Sequence, residues 1–193
     1  DHVSASWNQD EGIGLWRDGT NPQNNITISW NLVGEGLSTH STGFISGSNG
    51  SNSDLTNLDY HHNLVMNDSH RNPLLKNKSS RWVNNIGYNH NYYSSQFGSG
   101  IQIDVIGNLY KKGPMNASKT FHEVQSFGSS IYMSGNKGWN QSDPTGDQWV
   151  MKRQVTGENG LESSSGNVQI PTSWRRSSPL PPTTFPIIPE PVN

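Results

Sequence analysis

The stretch Asn25-Ile26-Thr27-Ile28-Ser29-Trp30-Asn31 carries large apolar residues at alternate positions and closes on an asparagine. The same figure returns along the chain. Leu58-Asp59-Tyr60-His61-His62 leads to Asn63, and Ser80-Arg81-Trp82-Val83-Asn84 leads to Asn85. Ile103-Asp104-Val105-Ile106-Gly107 leads to Asn108, and Ile131-Tyr132-Met133-Ser134-Gly135 to Asn136. Val3-Ser4-Ala5-Ser6-Trp7, before Asn8, reads as one more copy. Alternation of this kind belongs to strands with one buried face. The steps between the asparagines, from 22 to 32 residues, are too long for hairpins and fit one coil of a parallel β-solenoid with loops of variable length. Asparagine tolerates the left-handed backbone region, so each is expected at a sharp bend after a strand. Stacked copies are expected to bond amide to amide as an asparagine ladder. An antiparallel sandwich, with turns every ~8–12 residues, would not repeat one strand-asparagine register.

Composition agrees with a folded, polar solenoid. The chain has 193 residues, 30% hydrophobic and 15% charged, with no cysteine and a net charge of -2. It holds 23 asparagines and 27 serines, yet also 7 Trp, 6 Tyr and 5 Phe, which separates it from disordered chains. A mean hydropathy of -0.76 excludes a transmembrane span. The near-neutral charge gives no general attraction to nucleic acid. Cysteine disulfides, thiolate nucleophiles and cysteine zinc sites are absent. The repeat spans about residues 1–138, or about six coils. Residues 139–176 are expected to form a last coil or a packing segment, with Gln148-Trp149-Val150-Met151 and Val168-Gln169-Ile170 as strands or as a cover. Residues 177–193 are proline-rich and should be extended, as a linker or along a groove of this or a neighbouring chain.

Five strings resemble polysaccharide lyase family 1, the pectate lyases, in the family's order. They are Asp1-His2-Val3-Ser4-Ala5-Ser6-Trp7, Asn25-Ile26-Thr27-Ile28-Ser29-Trp30-Asn31, Gly34-Glu35-Gly36-Leu37, Tyr60-His61-His62-Asn63-Leu64-Val65 and Arg71-Asn72-Pro73. The resemblance covers about residues 1–110 and implies an all-β, right-handed parallel β-helix. It also implies an extracellular or secreted enzyme that cleaves an acidic polysaccharide by β-elimination, with Ca2+ as Lewis acid. Arg71 falls on the family's catalytic arginine, the implied proton acceptor, although guanidinium hardly deprotonates in proteins. Lys76 falls where the family has a substrate-binding arginine, and Asp10 on a calcium carboxylate. Gly14 stands in place of a second calcium carboxylate, and Thr42 in place of a substrate lysine. Glu35 and His40 are expected to line the cleft as substrate-binding residues. The remaining acidic coils would lie before Asp1, so a preceding segment is expected to cover the first coil's open edge.

The residues also allow plainer readings. Arg71 has Asp68 nearby in sequence as an alternative surface partner. His61 and His62, adjacent on a strand, should face opposite sides and form no zinc site with Asp59. Asn-x-Ser/Thr occurs at Asn25, Asn49, Asn67, Asn77, Asn116 and Asn140, a frequency that abundant Asn and Ser produce by chance. Two functions from different classes follow. One is the calcium-dependent lyase. The other is a non-catalytic β-helix that binds glycans or builds a viral tailspike or cell-surface fibre.

Overall fold

The structure, a computed structural model, describes residues 1–17, 21–37, 40–48, 55–92, 94–98, 100–118, 123–154 and 170–193, with backbone alone at 152–154. Val168 and Gln169, one half of an expected final strand, lie outside the described residues. Three parallel sheets build the fold. Sheet A stacks β1 (Ser4–Ser6), β4 (Leu32–Gly34), β7 (Leu64–Met66), β10 (Ile86–Tyr88) and β13 (Leu109–Lys111). Sheet B stacks β2 (Glu11–Arg17), β5 (Thr42–Ser48), β8 (Leu74–Leu75), β11 (Ser95–Phe97), β14 (Val124–Ser126) and β16 (Lys152–Gln154). Sheet C stacks β3 (Gln23–Ser29), β6 (Leu55–His61), β9 (Ser79–Val83), β12 (Gln102–Ile106) and β15 (Ser130–Ser134). The chain visits A, B and C in turn, and every pairing is between one coil and the next. It is a parallel β-helix. A last coil is completed by single bridges at Lys137 and Arg175 on either side of β16.

Two residues turn the chain from sheet C to sheet A, and they divide the work. The first is left-handed in every coil: His2, Trp30, His62, Asn84, Gly107 and Gly135, with φ between 52° and 67°. The second is the asparagine, whose amide turns inward. Asn63 Oδ1 accepts from Asn31 N at 3.0 Å and Asn31 Nδ2 at 2.9 Å, and Asn85 Oδ1 does the same for Asn63. Asn108 and Asn136 continue the file, which ends on Gln148 Oε1. The sequence expectation therefore needs two corrections. The bend conformation belongs to the residue before each asparagine, because the asparagine is needed to satisfy buried backbone groups. Asn8 is also not in the file: Val3, one coil before Asn31, donates its N–H to Asn31 Oδ1 at 2.9 Å.

Asn8 instead follows the second corner, between sheets A and B. There Trp7, Glu35, Asn67 and Asn89 are left-handed. Their side chains run along the outside: Asn67 Nδ2 donates to Glu35 Oε1, Asn89 Nδ2 to Asn67 Oδ1, and Met115 N to Asn89 Oδ1 at 2.7 Å. Inside, one apolar column fills the helix. Phe44 of β5 in sheet B meets Tyr60 and Trp82 of β6 and β9 in sheet C at ring distances of 5.7–6.1 Å. Leu58, Ile103, Val105 and Ile131 extend it, all fully buried.

Gln148–Met151 forms a 3₁₀ turn rather than a strand, and drops Met151 into the core. The proline-rich tail lies along the outer face of sheet C. Leu180 N donates to Asp104 Oδ2 at 2.9 Å, Thr183 Oγ1 to Asp59 Oδ2 at 2.9 Å, and Glu190 N to Asn84 Oδ1 at 2.9 Å. Proline lacks the N–H that a strand ladder needs, so the tail is held by the N–H groups of Leu180 and Glu190, which donate to side chains of the coils, and by the Thr183 hydroxyl. Arg81 donates to the Pro181 carbonyl while paired with Asp59 at 3.1 Å. His62, being left-handed, does not point away from His61: the two Nδ1 atoms are 2.8 Å apart on the outside of the corner. Asp59 beneath them is taken by Arg81 and Thr183.

Candidate functional site

Sheet B supplies the site because its outer face is not covered by the tail. An open cleft of about 420 Å3 lies on it, lined by Glu11, Gly14, Trp16, Ile45, Arg71, Leu74 and Lys76. Arg71 enters from the loop before β8. It is left-handed at φ 55°, and its carbonyl accepts from both Gly43 N and Phe44 N at 3.2 Å, so the corner is fixed by the coil below. Its guanidinium donates to Glu11 Oε1 at 2.8 Å and stands 3.8 Å from Asp10 Oδ1. Asp68, the partner suggested by sequence, is fully buried and takes no part. Lys76 N donates to Ser46 O at 2.8 Å, which places the lysine on the outer face beside the arginine.

Asp10 and His40 extend the cleft edge. His40 Nδ1 is 3.1 Å from Asp10 Oδ1, and the His40 ring packs edge-on to His70 at 4.9 Å. His70 is pushed down to about 4 by burial, then by the charge of Arg71 and by His40, against a small opposite pull from Asp10. Near neutral pH it is an uncharged imidazole. The structure thus brings Arg71, Lys76, Asp10 and His40 to one side of the molecule. Glu35 stands apart from the cleft lining and accepts from Asn67 on the A–B corner. Thr42 is fully buried, so the position where the resemblance implies a lysine faces inward. By sequence Glu11 reads only as the neighbour of Asp10 in an acidic pair at a turn, and Trp16 carries no signal of its own. The signal for both was the register of β2, which is legible only once β2 is paired with β5.

Calcium takes six to eight oxygen ligands. At the cleft the described residues offer two carboxylates, Asp10 and Glu11, and each is engaged by His40 or Arg71. Among the described residues no group of three or more His, Asp or Glu side chains is arranged to hold a metal. The residues present do not by themselves form a calcium site. Gly14 explains part of this. A Cβ there would meet only Ile45 Cγ2, at 3.5 Å, an ordinary contact. Gly14→Asp is therefore expected to fold normally and to raise calcium affinity at least about tenfold, read by calorimetric titration with calcium chloride. Unchanged affinity would show that the added carboxylate does not converge with Asp10.

Below the Arg71 corner lies a buried polar pocket. Asp68 sits against the Gly36 backbone, and burial, with Glu35 adding repulsion, pushes its carboxyl up to about 7. His90, one coil on and fully buried, is pushed down to about 3 by burial. The signs oppose each other. The folded state keeps a proton on Asp68 that the unfolded chain releases above about pH 4, so this term loses stability as pH rises to 7. It refuses a proton on His90 that the unfolded chain takes below about pH 6.5, so this term loses stability as pH falls. Between pH 4.5 and 6.5 the two largely cancel. Asp68→Asn should leave the histidine term alone, so that stability rises with pH across this window by up to about 1.4 kcal/mol per unit more than in the parent. Urea denaturation at several pH values measures it, and parallel pH profiles would refute it.

The chain has been compared with known proteins. No family model matches it, and no solved structure matches it. Over 125 residues it is 30% identical to a protein named "Probable pectate lyase C" from Aspergillus fumigatus, and equally so to one of that name from Aspergillus flavus. These matches cover 63% of this chain and 27% of the relatives. A further protein of that name, from Aspergillus oryzae, is 31% identical over 117 residues. The chain spans about a quarter of the length of these curated relatives, and over that stretch it is distantly similar to fungal proteins named as pectate lyases.

Proposed function

We propose that this chain carries the arginine and the cleft floor of a pectate lyase-like enzyme that cleaves a uronate-containing polysaccharide by β-elimination. The observation that carries the reading is Arg71, fixed by its corner over a cleft that also holds Lys76, in a chain similar to pectate lyases. The substrate carboxylate pairs with Lys76 and Arg71, the arginine by its two-pronged fork. Neutralising that carboxylate acidifies the neighbouring C5 proton. Its removal forms the C4=C5 double bond as the C4–O bond breaks, and the leaving oxygen takes a proton from solvent.

Glu11 accepts from Arg71 at 2.8 Å and holds the guanidinium at the cleft, which supports Arg71 as the group that stabilises developing negative charge. His40, oriented by Asp10 at 3.1 Å, supports an imidazole as proton acceptor, the side-chain type suited to that task near neutral pH. Formation of unsaturated uronate from polygalacturonate, followed in the ultraviolet with calcium and with chelator, decides the reading. Absence of product in both would sink it. His40→Ala should lower the rate roughly 10²-fold or more.

Because polysaccharides are met outside cells, the proposal carries an extracellular setting. It also carries a further layer of chain over the first coil, supported by β1, β2 and β3 each being paired on one side only and by exposed Val3, Trp7 and Trp30 there. A second reading is favoured by Gly14 and by the buried Thr42: a β-helix that binds glycans, or forms part of a spike or surface fibre, without cleaving. The same assay separates the two, since that protein binds polygalacturonate and yields no product.

A further inference from the structure

One row of residues on the outer face of sheet B joins Lys76 to an aromatic side chain that the cleavage chemistry does not use. Trp16 of β2 pairs in register with Gly47 of β5, and Lys76 follows on the next coil, its N–H bonded to Ser46 O. Gly98, whose N–H bonds to Leu75 O, is the next position. The row thus reads indole, no side chain, ammonium, no side chain. A Cβ built on Gly47 would fall 2.6 Å from Trp16 Cζ3, 3.0 Å from Cη2 and 3.2 Å from Cε3. Three atoms of one ring at such distances mean that the indole lies across the Gly47 backbone. Gly47 has no positive φ, so glycine is required there for room and not for conformation. Gly98 does the same for Lys76: a Cβ there would come within 2.9 Å of the lysine Cγ.

The indole lies along the sheet, lines the cleft and is 43% exposed. A flat apolar face beside a cation suits one ligand class. A pyranose ring has a C–H face that stacks on an aromatic, and a uronate places a carboxylate at its rim. Trp16 and Lys76 are two strands apart, roughly 10 Å along the helix axis. Ile45 and Leu74 line the floor next to them. We infer that Trp16 is a stacking platform for a sugar ring of a uronate oligosaccharide lying along the helix axis, with Lys76 receiving the carboxylate of a neighbouring unit. Gly47 is the residue that makes the platform, by letting the indole lie flat. The inference rests on the proposal that this cleft takes a uronate polysaccharide, and names the residue that selects for ring stacking within it.

The test is calorimetric binding of a galacturonate oligosaccharide to the full chain, with tryptophan fluorescence as a second readout and thermal melts to confirm folding. Trp16→Ala should weaken binding roughly tenfold and abolish most of the ligand-induced fluorescence change, whereas Trp16→Phe should keep much of the affinity. Gly47→Val leaves the tryptophan in place but tilts it off the sheet, and should weaken binding in the same direction. Binding that is equal in the parent, Trp16→Ala and Gly47→Val would overturn the platform while leaving the uronate reading intact. No binding to the parent at all would overturn the uronate reading and the platform with it.

Discussion

Arg71→Ala is expected to lower kcat for polygalacturonate cleavage by about 10²–10³, with a smaller change in KM. The size follows from the task. The guanidinium faces charge that develops in the transition state, in a cleft partly shielded from solvent, where one well-placed donor has this weight. Removal also frees Glu11, which lies 2.8 Å from the arginine, to repel the substrate carboxylate. Arg71→Lys keeps the charge and loses the planar fork, so its rate should fall between the parent and the alanine variant. The side chain is at the surface of the cleft, and its backbone contacts are made by the carbonyl, so neither variant should unfold. Initial rates in the ultraviolet assay measure the effect. A parent rate in Arg71→Ala would remove the enzyme reading of this site.

Asn85→Ala is expected to destabilise the fold by about 3–5 kcal/mol. Asn85 is 1% exposed. Its Oδ1 accepts from Asn63 N and Nδ2, and its Nδ2 donates to the Tyr60 and Val83 carbonyls. Alanine would take from Asn63 N the acceptor Asn85 Oδ1 and from the Tyr60 and Val83 carbonyls one donor each, in a buried corner where a lost partner costs about 1–3 kcal/mol. Asn67→Ala is the control. Its amide bonds run along the outside of the second corner, where water can replace them, and the loss should stay within about 1 kcal/mol. Midpoints of urea unfolding at unchanged m distinguish the two. Equal losses would mean that burial is not what gives the inner asparagines their weight.

How much of this was written in the sequence differs between fold and site. The five inner asparagines and the alternating apolar residues before them place themselves, because a solenoid repeats one local solution and the repeat survives loops of different length. The register of the first coil did not. Asn8 mimics the pattern, yet Val3 takes the rung, since what decides membership is the pairing of Ser4 with Leu32 and not the letter at the corner. His61 and His62 show the same limit: period-2 reasoning holds along a strand and fails one residue past its end, where φ changes sign.

The cleft was partly legible. Arg71 and Lys76 were found by motif, and they line it together. Glu35 lies one residue past the end of β4, at the second corner, where it accepts from Asn67 and is not among the residues that line the cleft. Trp16 and Glu11 could not be read from their own segment. Which face of β2 points outward is set by β5 above it, and the room for the indole is set by Gly47, 31 residues away.

The sequence by itself determined that this chain coils, how often, and which residues lie in the core, because hydrophobic alternation and the asparagine positions are local and repeated. Only the tertiary structure decided which residues share the cleft. Parallel stacking brings together side chains 20 to 30 positions apart, and a shift of one residue in any pairing would turn a whole row from one face to the other.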